Sequence, residues 1–351
     1  MTMKWTLGFT LLTIFVGATV WGQTPQEPLT LEESIKIALE KNLTLHSAVL
    51  EVEGSEFRRK EAITNFLPLW TGQYSYTRYN SPVSVGFGGI SGLGAGSRDV
   101  YNLNSTVQQP LFTGGLNLAN YRSAKLGVDL TKASVETTKR DIVLQVREGY
   151  FNILRAEKFL IVAQQQVKQF EAQLEVTKAF FDVGIVPKND VLQAEVNLAN
   201  ARQSLVKAEN DLATAKASFN SLLRREINAL LQVVDILAYK PFPLGFEAAL
   251  EEALRQRPEI KAAQFNIDQA KENVKVAKSG FFPTVNLAGN YARLSDAAGL
   301  NDDMKDERWT IQALATITLF NWGNTAYKVG ENKVKVSQAE DSKTQLIESI
   351  T

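Results

Sequence analysis

Four carboxylates stand close together at Asp302, Asp303, Asp306 and Glu307. Clustered carboxylates are the equipment of a hydrolase, one giving a proton while another activates water. Here they sit in "LSDAAGLNDDMKDE", a connection between two extended runs, so they read as solvated loop charge. A second candidate is "GFGGISGLGAGS" at residues 86–97, with six glycines. Glycine lets backbone N–H groups converge on a phosphate where a helix begins. No helical pattern follows this stretch and no lysine stands at the required offset, so it reads as a flexible hairpin tip. His46 is the only histidine, and there is no cysteine. Triads, multi-histidine metal centres, zinc thiolates, thiol nucleophiles and disulfides are thereby excluded. No catalytic residue, metal or cofactor is expected. A formal net charge of +0 gives no basis for nucleic-acid binding.

The remaining chemistry is that of neutral amides and hydroxyls spaced by two. Thr71, Gln73, Ser75 and Thr77 alternate with Trp70, Gly72, Tyr74 and Tyr76. Asn102, Asn104, Thr106 and Gln108 alternate with Tyr101, Leu103, Ser105 and Val107. Asn286 and Asn290 alternate with Val285, Leu287, Gly289 and Tyr291; Thr310, Gln312 and Thr316 with Trp309, Ile311, Ala313, Ala315 and Ile317. Leu314 breaks the last pattern. Each run suffices for the roughly 9–11 residues of a tilted bilayer-spanning strand. Tyr76, Tyr101, Tyr291 and Trp309 suit an interfacial girdle. A soluble half-buried sheet alternates in the same way, and pattern alone leaves both readings open. The uncharged polar faces lean toward a wet lumen.

The elements that hold these strands are duplicated. The segment from Leu29 to Arg78 aligns without a gap on that from Leu244 to Arg293. Phe66 falls on Phe281, Pro68 on Pro283 and Tyr76 on Tyr291. A second pair aligns "PLFTGGLNLANYRSAK" from Pro110 with "TLFNWGNTAYKVGENK" from Thr318. Each unit opens with two helices, the first marked by the capping box Thr30 and Glu33, with breaks at Asn42 and before Pro258.

After Gly115 no proline appears until Pro187. Val146, Ile153, Leu160, Val167, Leu174 and Phe181 form one heptad row, and Ile142, Gly149, Ala156, Ala163 and Phe170 the other. A helix from residue 115 to 182 would be about 100 Å long. "FDVGIVPKND" breaks it: Gly184 suits a left-handed cap, and Asn189 or Asp190 can cap the next helix. The return helix repeats the heptad through Val191, Leu198, Leu205, Leu212 and Phe219, against Ala194, Ala201, Ala208, Ala215 and Leu222. This predicts an antiparallel coiled-coil hairpin with an exposed apolar tip.

Lys4 followed by an apolar run from Thr6 to Val20 reads as a signal peptide over residues 1–22, so the protein is expected to be exported. Residues 23–243 are then a first repeat: two helices, a strand hairpin at 67–112, a helical hairpin at 115–225 and a linker. Residues 244–351 are a second: two helices, a strand hairpin at 282–320 and the start of a long helix.

With this order, the Phe-Leu-Pro and Phe-Phe-Pro strand entries, and "VGIVPKNDVLQAEVNLANAR" at the tip, the chain resembles the TolC-type outer-membrane efflux proteins. The resemblance implies a mainly α fold with a membrane β part. Each protomer of a homotrimer would give four strands to a shared 12-strand barrel and its coiled-coil helices to a periplasmic tunnel. It implies a passive channel of a tripartite efflux pump or type I secretion system in the outer membrane. The polar strand residues would face the lumen and the alternate residues lipid. The tip, at Gly184, Ile185, Val186, Asp190 and Leu192, would meet a periplasmic adaptor serving an inner-membrane transporter. The second repeat stops short of a matching hairpin, where the family places its gate, so a truncated product is expected. The competing reading is a periplasmic coiled-coil adaptor without a channel.

Overall fold

The computed structural model describes residues 28–83, 97–239, 241, 243–295 and 306–351. The expected signal peptide, most of the glycine-rich stretch, and Asp302 and Asp303 lie outside the described residues. The elements run α1 (Leu31–Lys41), α2 (Leu43–Thr64), β1 (Leu69–Val83), β2 (Ser97–Phe112), α3 (Leu116–Asp182), α4 (Lys188–Leu222), α5 (Phe246–Gln256), α6 (Pro258–Lys278), β3 (Thr284–Ser295), β4 (Asp306–Thr316) and α7 (Asn324–Ile350).

The duplication is visible in the element limits. Leu31 and Lys41 at the ends of α1 fall on Phe246 and Gln256 at the ends of α5, and Leu69 opening β1 falls on Thr284 opening β3. The second sequence pair sets Leu116 of α3 on Asn324 of α7. The turn before each of these helices uses two successive left-handed residues. They are Gly114 (φ 63) and Gly115 (φ 87) in one unit, Trp322 (φ 56) and Gly323 (φ 81) in the other. At Gly114 a side chain is excluded outright, because a Cβ would lie 2.7 Å from the Ser279 carbonyl oxygen. At Trp322 the side chain instead projects outward, 85% exposed.

Local signals account for the helix starts. Glu33 accepts from the Thr30 backbone N–H at 3.0 Å, while the Glu33 N–H donates to Thr30 Oγ1 at 3.2 Å. This is the reciprocal capping box. Backbone and hydroxyl donation from Thr30 holds the Glu33 carboxyl below its ordinary range. Asn42 caps α2, its Oδ1 accepting from Thr44 and Leu45 N–H at 2.8 and 3.1 Å. Pro258 opens α6 after an extended Arg257.

Packing divides the chain into two compact units that cut across the repeats. One joins the chain up to Ala38 with Val146–Ala238, and the other joins Leu39–Gln145 with Tyr239–Thr351. In the first, the heptad seam is the core. Val146, Ile153, Ala163 and Val167 of α3 are buried, as are Val191, Ala194, Leu198, Ala201 and Phe219 of α4. Small residues on one side let the backbones approach, and Phe219 packs directly over Gly149. Tyr150 Oη lies 3.0 Å from the Leu29 carbonyl and 2.8 Å from that of Val234, beside the parallel bridge of Leu29 with Val233. Burial pushes its phenol up. Exposed ion pairs between the helices, such as Arg202–Glu171 at 3.0 Å, add little, about 0–1 kcal/mol each.

In the second unit, α6 packs along α7, and side chains tie α2 and α6 to the start of α3. Ser55 and Thr131 hydroxyls meet at 2.9 Å between α2 and α3, and Gln269 donates to the Ser123 carbonyl at 3.1 Å between α6 and α3. Two amides fix where strands leave helices. Gln109 Nε2 donates to the Phe66 carbonyl at 2.9 Å, and Asn117 Nδ2 to that of Asn65 at 2.6 Å.

Candidate functional site: the strand faces and the hairpin tip

The four strands form one antiparallel sheet in the order β1-β2-β3-β4. Residues opposite one another in an antiparallel pair share a face, so register decides the chemistry of each side. Thr71 pairs with Thr106, Thr106 with Asn290, and Asn290 with Thr310, a polar level crossing all four strands. Gln73 pairs with Asn104 and Ser75 with Asn102, while Thr77 lies opposite Val100. Gln108 shares its level with Ala288 and Gln312, and Asn286 and Thr316 complete the same side. Every neutral polar residue picked out by alternation thus lies on one face. Leu314, opposite Asn286, is apolar on that face, as are Leu69, Val100, Ala288 and Leu294. Asn290 Nδ2 bridges β3 to β2 by donating to Asn104 Oδ1 and, at 2.9 Å, to Thr106 Oγ1.

The reverse face is apolar and uncovered. Trp70, Tyr74, Tyr76, Tyr101, Leu103, Val107, Tyr291, Trp309 and Ile311 belong to it by register. Trp70 is 75% exposed, Trp309 73% and Ile311 71%. A soluble monomer rarely exposes so large a contiguous apolar surface. Charges enter this face only toward the connecting loops, as the pairs Arg78–Asp99 at 3.5 Å and Arg293–Glu307 at 3.7 Å. Tyr76 stacks on Tyr101 at 4.9 Å there and donates to Asp99 at 2.7 Å. The opposite end of the strands carries a second aromatic set that alternation did not pick out. Phe66, Phe112, Phe281, Phe282, Phe320 and Trp322 are all exposed where strands meet helices. The Phe-Phe-Pro strand entry was its sequence signal.

Among the described residues each edge strand pairs on one side only. β1 and β2 have 15 and 16 residues, and β3 and β4 have 12 and 11, all long enough to cross a bilayer at a tilt. No described helix is long and apolar enough to cross a membrane.

At the hairpin tip α3 closes with a Schellman motif around Gly184 (φ 76): Gly184 N–H donates to the Phe181 carbonyl at 2.9 Å and Ile185 N–H to that of Phe180 at 2.8 Å. Ile185 is 67% exposed, Leu192 is exposed and Val186 is half-buried. One expectation is corrected here. Neither Asn189 nor Asp190 caps α4; the N-cap is Pro187, extended at ψ 159, with no side-chain cap bond. Proline's fixed φ supplies the extended backbone a cap needs, so the helix starts earlier and Asp190 sits inside its first turn. A carboxylate there still faces the positive helix end.

Comparison with known proteins agrees with this geometry. The family model described as "Outer membrane efflux protein" matches residues 34–223 and 249–347. The outer membrane protein TolC of Vibrio cholerae is 27% identical over 247 residues, covering 64% of this chain and 56% of that protein. The outer membrane efflux protein BepC of Brucella suis is 22% identical, covering 88% of this chain and 65% of its own length. The chain therefore spans less than two thirds of these curated relatives. Among solved structures, the Campylobacter jejuni CmeC outer membrane channel superposes with a TM-score of 0.77 at 19% identity, over 91% of this chain and 68% of that one.

Proposed function

The chain belongs to the outer membrane efflux protein family, and on that premise we propose that it is one subunit of a passive exit duct in the bacterial outer membrane. The carrying observation is the sheet: apolar and exposed on one side, polar and uncharged on the other except toward the connecting loops, and open at both edges. Lipid covers the first face and water fills the lumen beside the second. Four strands cannot close on themselves, whereas bacterial outer-membrane barrels have about 8 or more. Three copies supply twelve, joined edge to edge, so the working unit is a homotrimer. The lumen face carries no charge from Thr71 to Thr77, Asn102 to Gln108, Asn286 to Asn290 or Thr310 to Thr316.

The coiled-coil hairpin extends into the periplasm and presents Gly184, Ile185, Val186, Asp190 and Leu192 to an adaptor. The adaptor links the duct to an inner-membrane transporter, which supplies the driving force. A separate adaptor function is disfavoured because all four strands belong to one antiparallel sheet. The test is conductance in a planar bilayer of the purified chain, with flotation on vesicles as its companion. The reading expects stable ion-conducting steps and co-flotation. A protein that stays in the aqueous phase and conducts nothing contradicts it.

A further inference from the structure

Within the second packing unit, helix packing repeats as closely as the sequence does. Lys132 of α3 faces Glu56 of α2 at 3.9 Å, and the positions that match them, Glu340 of α7 and Lys271 of α6, pair at 4.0 Å with the charges exchanged. Asn117 donates to the Asn65 carbonyl; their counterparts Thr325 and Gly280 also meet, a Cβ on Gly280 lying 3.1 Å from Thr325 Cγ2. Each repeat builds the same assembly of helices and strands in the same register.

A different contact joins one repeat to the other. Ser123 Oγ of α3 lies 3.4 Å from Asn273 Oδ1 of α6, the Ser123 carbonyl accepts from Gln269, and the turn at Gly114 closes on Ser279 and Phe282. The equivalent contact for α7 needs an α2. In one chain these two helices continue the opposite edge strands, α2 leading into β1 and α7 following β4. The surfaces that such a contact uses are uncovered. Ala119 in α3 is 3% exposed, whereas its counterpart Tyr327 is 77% exposed. Trp322, which matches Gly114, is exposed, as are Phe57, Ile63 and Leu67, which match Glu272, Lys278 and Phe282.

The matched positions also change chemistry together. Inside the chain, the junction holds a cavity of about 240 Å³ with Arg122, Glu272, Lys275 and Lys278 on its wall. Gly330, Phe57, Lys60 and Ile63 stand at the corresponding positions, so three of the four charges are gone. Trp322 and Tyr327 add rings at the places of Gly114 and Ala119, which line that cavity. Ser123 and Asn273 are matched by Glu331 and Arg58, residues of opposite charge.

We propose that a second copy of this chain seats its α2 on α7, its Phe57, Ile63 and Leu67 closing over Trp322 and Tyr327 and its Arg58 facing Glu331. The proposal rests on the three-copy reading of the sheet and names the helical surface that holds the copies together. It also accounts for Trp322. A bulky side chain in a left-handed turn is strained, and burying the indole at the seam offsets that strain. The seam is wider than the junction inside the chain, where a Cβ at Gly114 would lie 2.7 Å from the Ser279 carbonyl oxygen, and the indole spans the difference. A lipid surface would cover the rings but makes no use of the matched charges.

The test uses the 351-residue chain in detergent, with no cysteine of its own. Arg58→Cys combined with Glu331→Cys, oxidised to disulfides, is expected to give covalent species that stop at three chains. Glu51→Cys combined with Glu331→Cys, two helical turns along α2, cross-links at least tenfold less. Trp322→Gly separates docking from folding. It removes the left-handed strain, so thermal unfolding of the dissociated chain is unchanged or raised. Light scattering over a dilution series then shows the trimer dissociating at least tenfold more readily, the loss expected for a buried aromatic anchor. Phe57→Ala, at an exposed position, weakens the trimer in the same way. No trapping at the first pair, equal trapping at both pairs, or a trimer indifferent to Trp322→Gly would overturn the seam. Vesicle binding lost with the trimer intact would assign these rings to lipid and overturn it as well. An unmodified chain that stays monomeric in detergent and in vesicles ends the three-copy reading and the seam with it; a stable trimer with untrapped cysteines sinks the seam alone.

Discussion

Gly149 has no room for a methyl group. A Cβ there would lie 2.8 Å from Phe219 Cδ2, and that ring is 1% exposed and held edge-on to Tyr150 at 6.1 Å. Gly149→Ala is therefore expected to destabilise by about 1–2 kcal/mol, an overpacking cost of roughly 1–3 offset in part by alanine's better helix propensity. Gly330 in α7 has nothing within 4 Å of the corresponding position. Gly330→Ala should stabilise by about 0.5–1 kcal/mol. Thermal unfolding followed by circular dichroism in detergent reads both, and equal shifts would show that the seam at Gly149 is not closely packed. The glycine was legible in the sequence because it falls in a heptad row otherwise filled by alanine and larger apolar residues. Trp322 in a left-handed conformation was legible only through its alignment with Gly114.

Among elements, the helices and strands were the most legible because each repeats one rule over many residues. Heptad spacing specified the α3–α4 seam, and Val167, Leu198 and Ala201 cluster there with Phe170, Leu174 and Leu205. Alternation specified the sheet faces because a one-residue slip would exchange them completely. The start of α4 lies before Asn189 and Asp190 because the extended backbone of Pro187, and no side-chain cap, sets it. The periodicity could not tell a lipid-facing sheet from a half-buried one; the exposed Trp70, Trp309 and Ile311 carry that distinction. Neighbouring positions on β4 test it. Ile311→Lys sets a charge on the apolar face and is expected to cost about 2–4 kcal/mol near mid-bilayer, whereas Gln312→Lys on the polar face is tolerated. Heat-modifiable migration on gels after insertion into vesicles separates the two. Equal tolerance of both lysines would mean that neither face meets lipid.

For the whole molecule, the sheet is unfinished in one copy. Both edges expose unpaired backbone groups, which soluble proteins normally blunt and which barrels remove by closure. Repeated edge-to-edge pairing either closes into a ring or runs on without limit. A barrel of twelve such strands, as proposed, would be wide enough to leave space for water inside the polar face. The chain contains no cysteine, so introduced thiols report on contacts between copies without background. The most direct measurement is disulfide trapping in vesicles, with Gln73→Cys on β1 combined with Thr310→Cys or Gln312→Cys on β4, resolved on non-reducing gels. The account predicts covalent species that stop at three chains. Monomers alone, or a ladder extending past three, would contradict a duct wall shared by three copies.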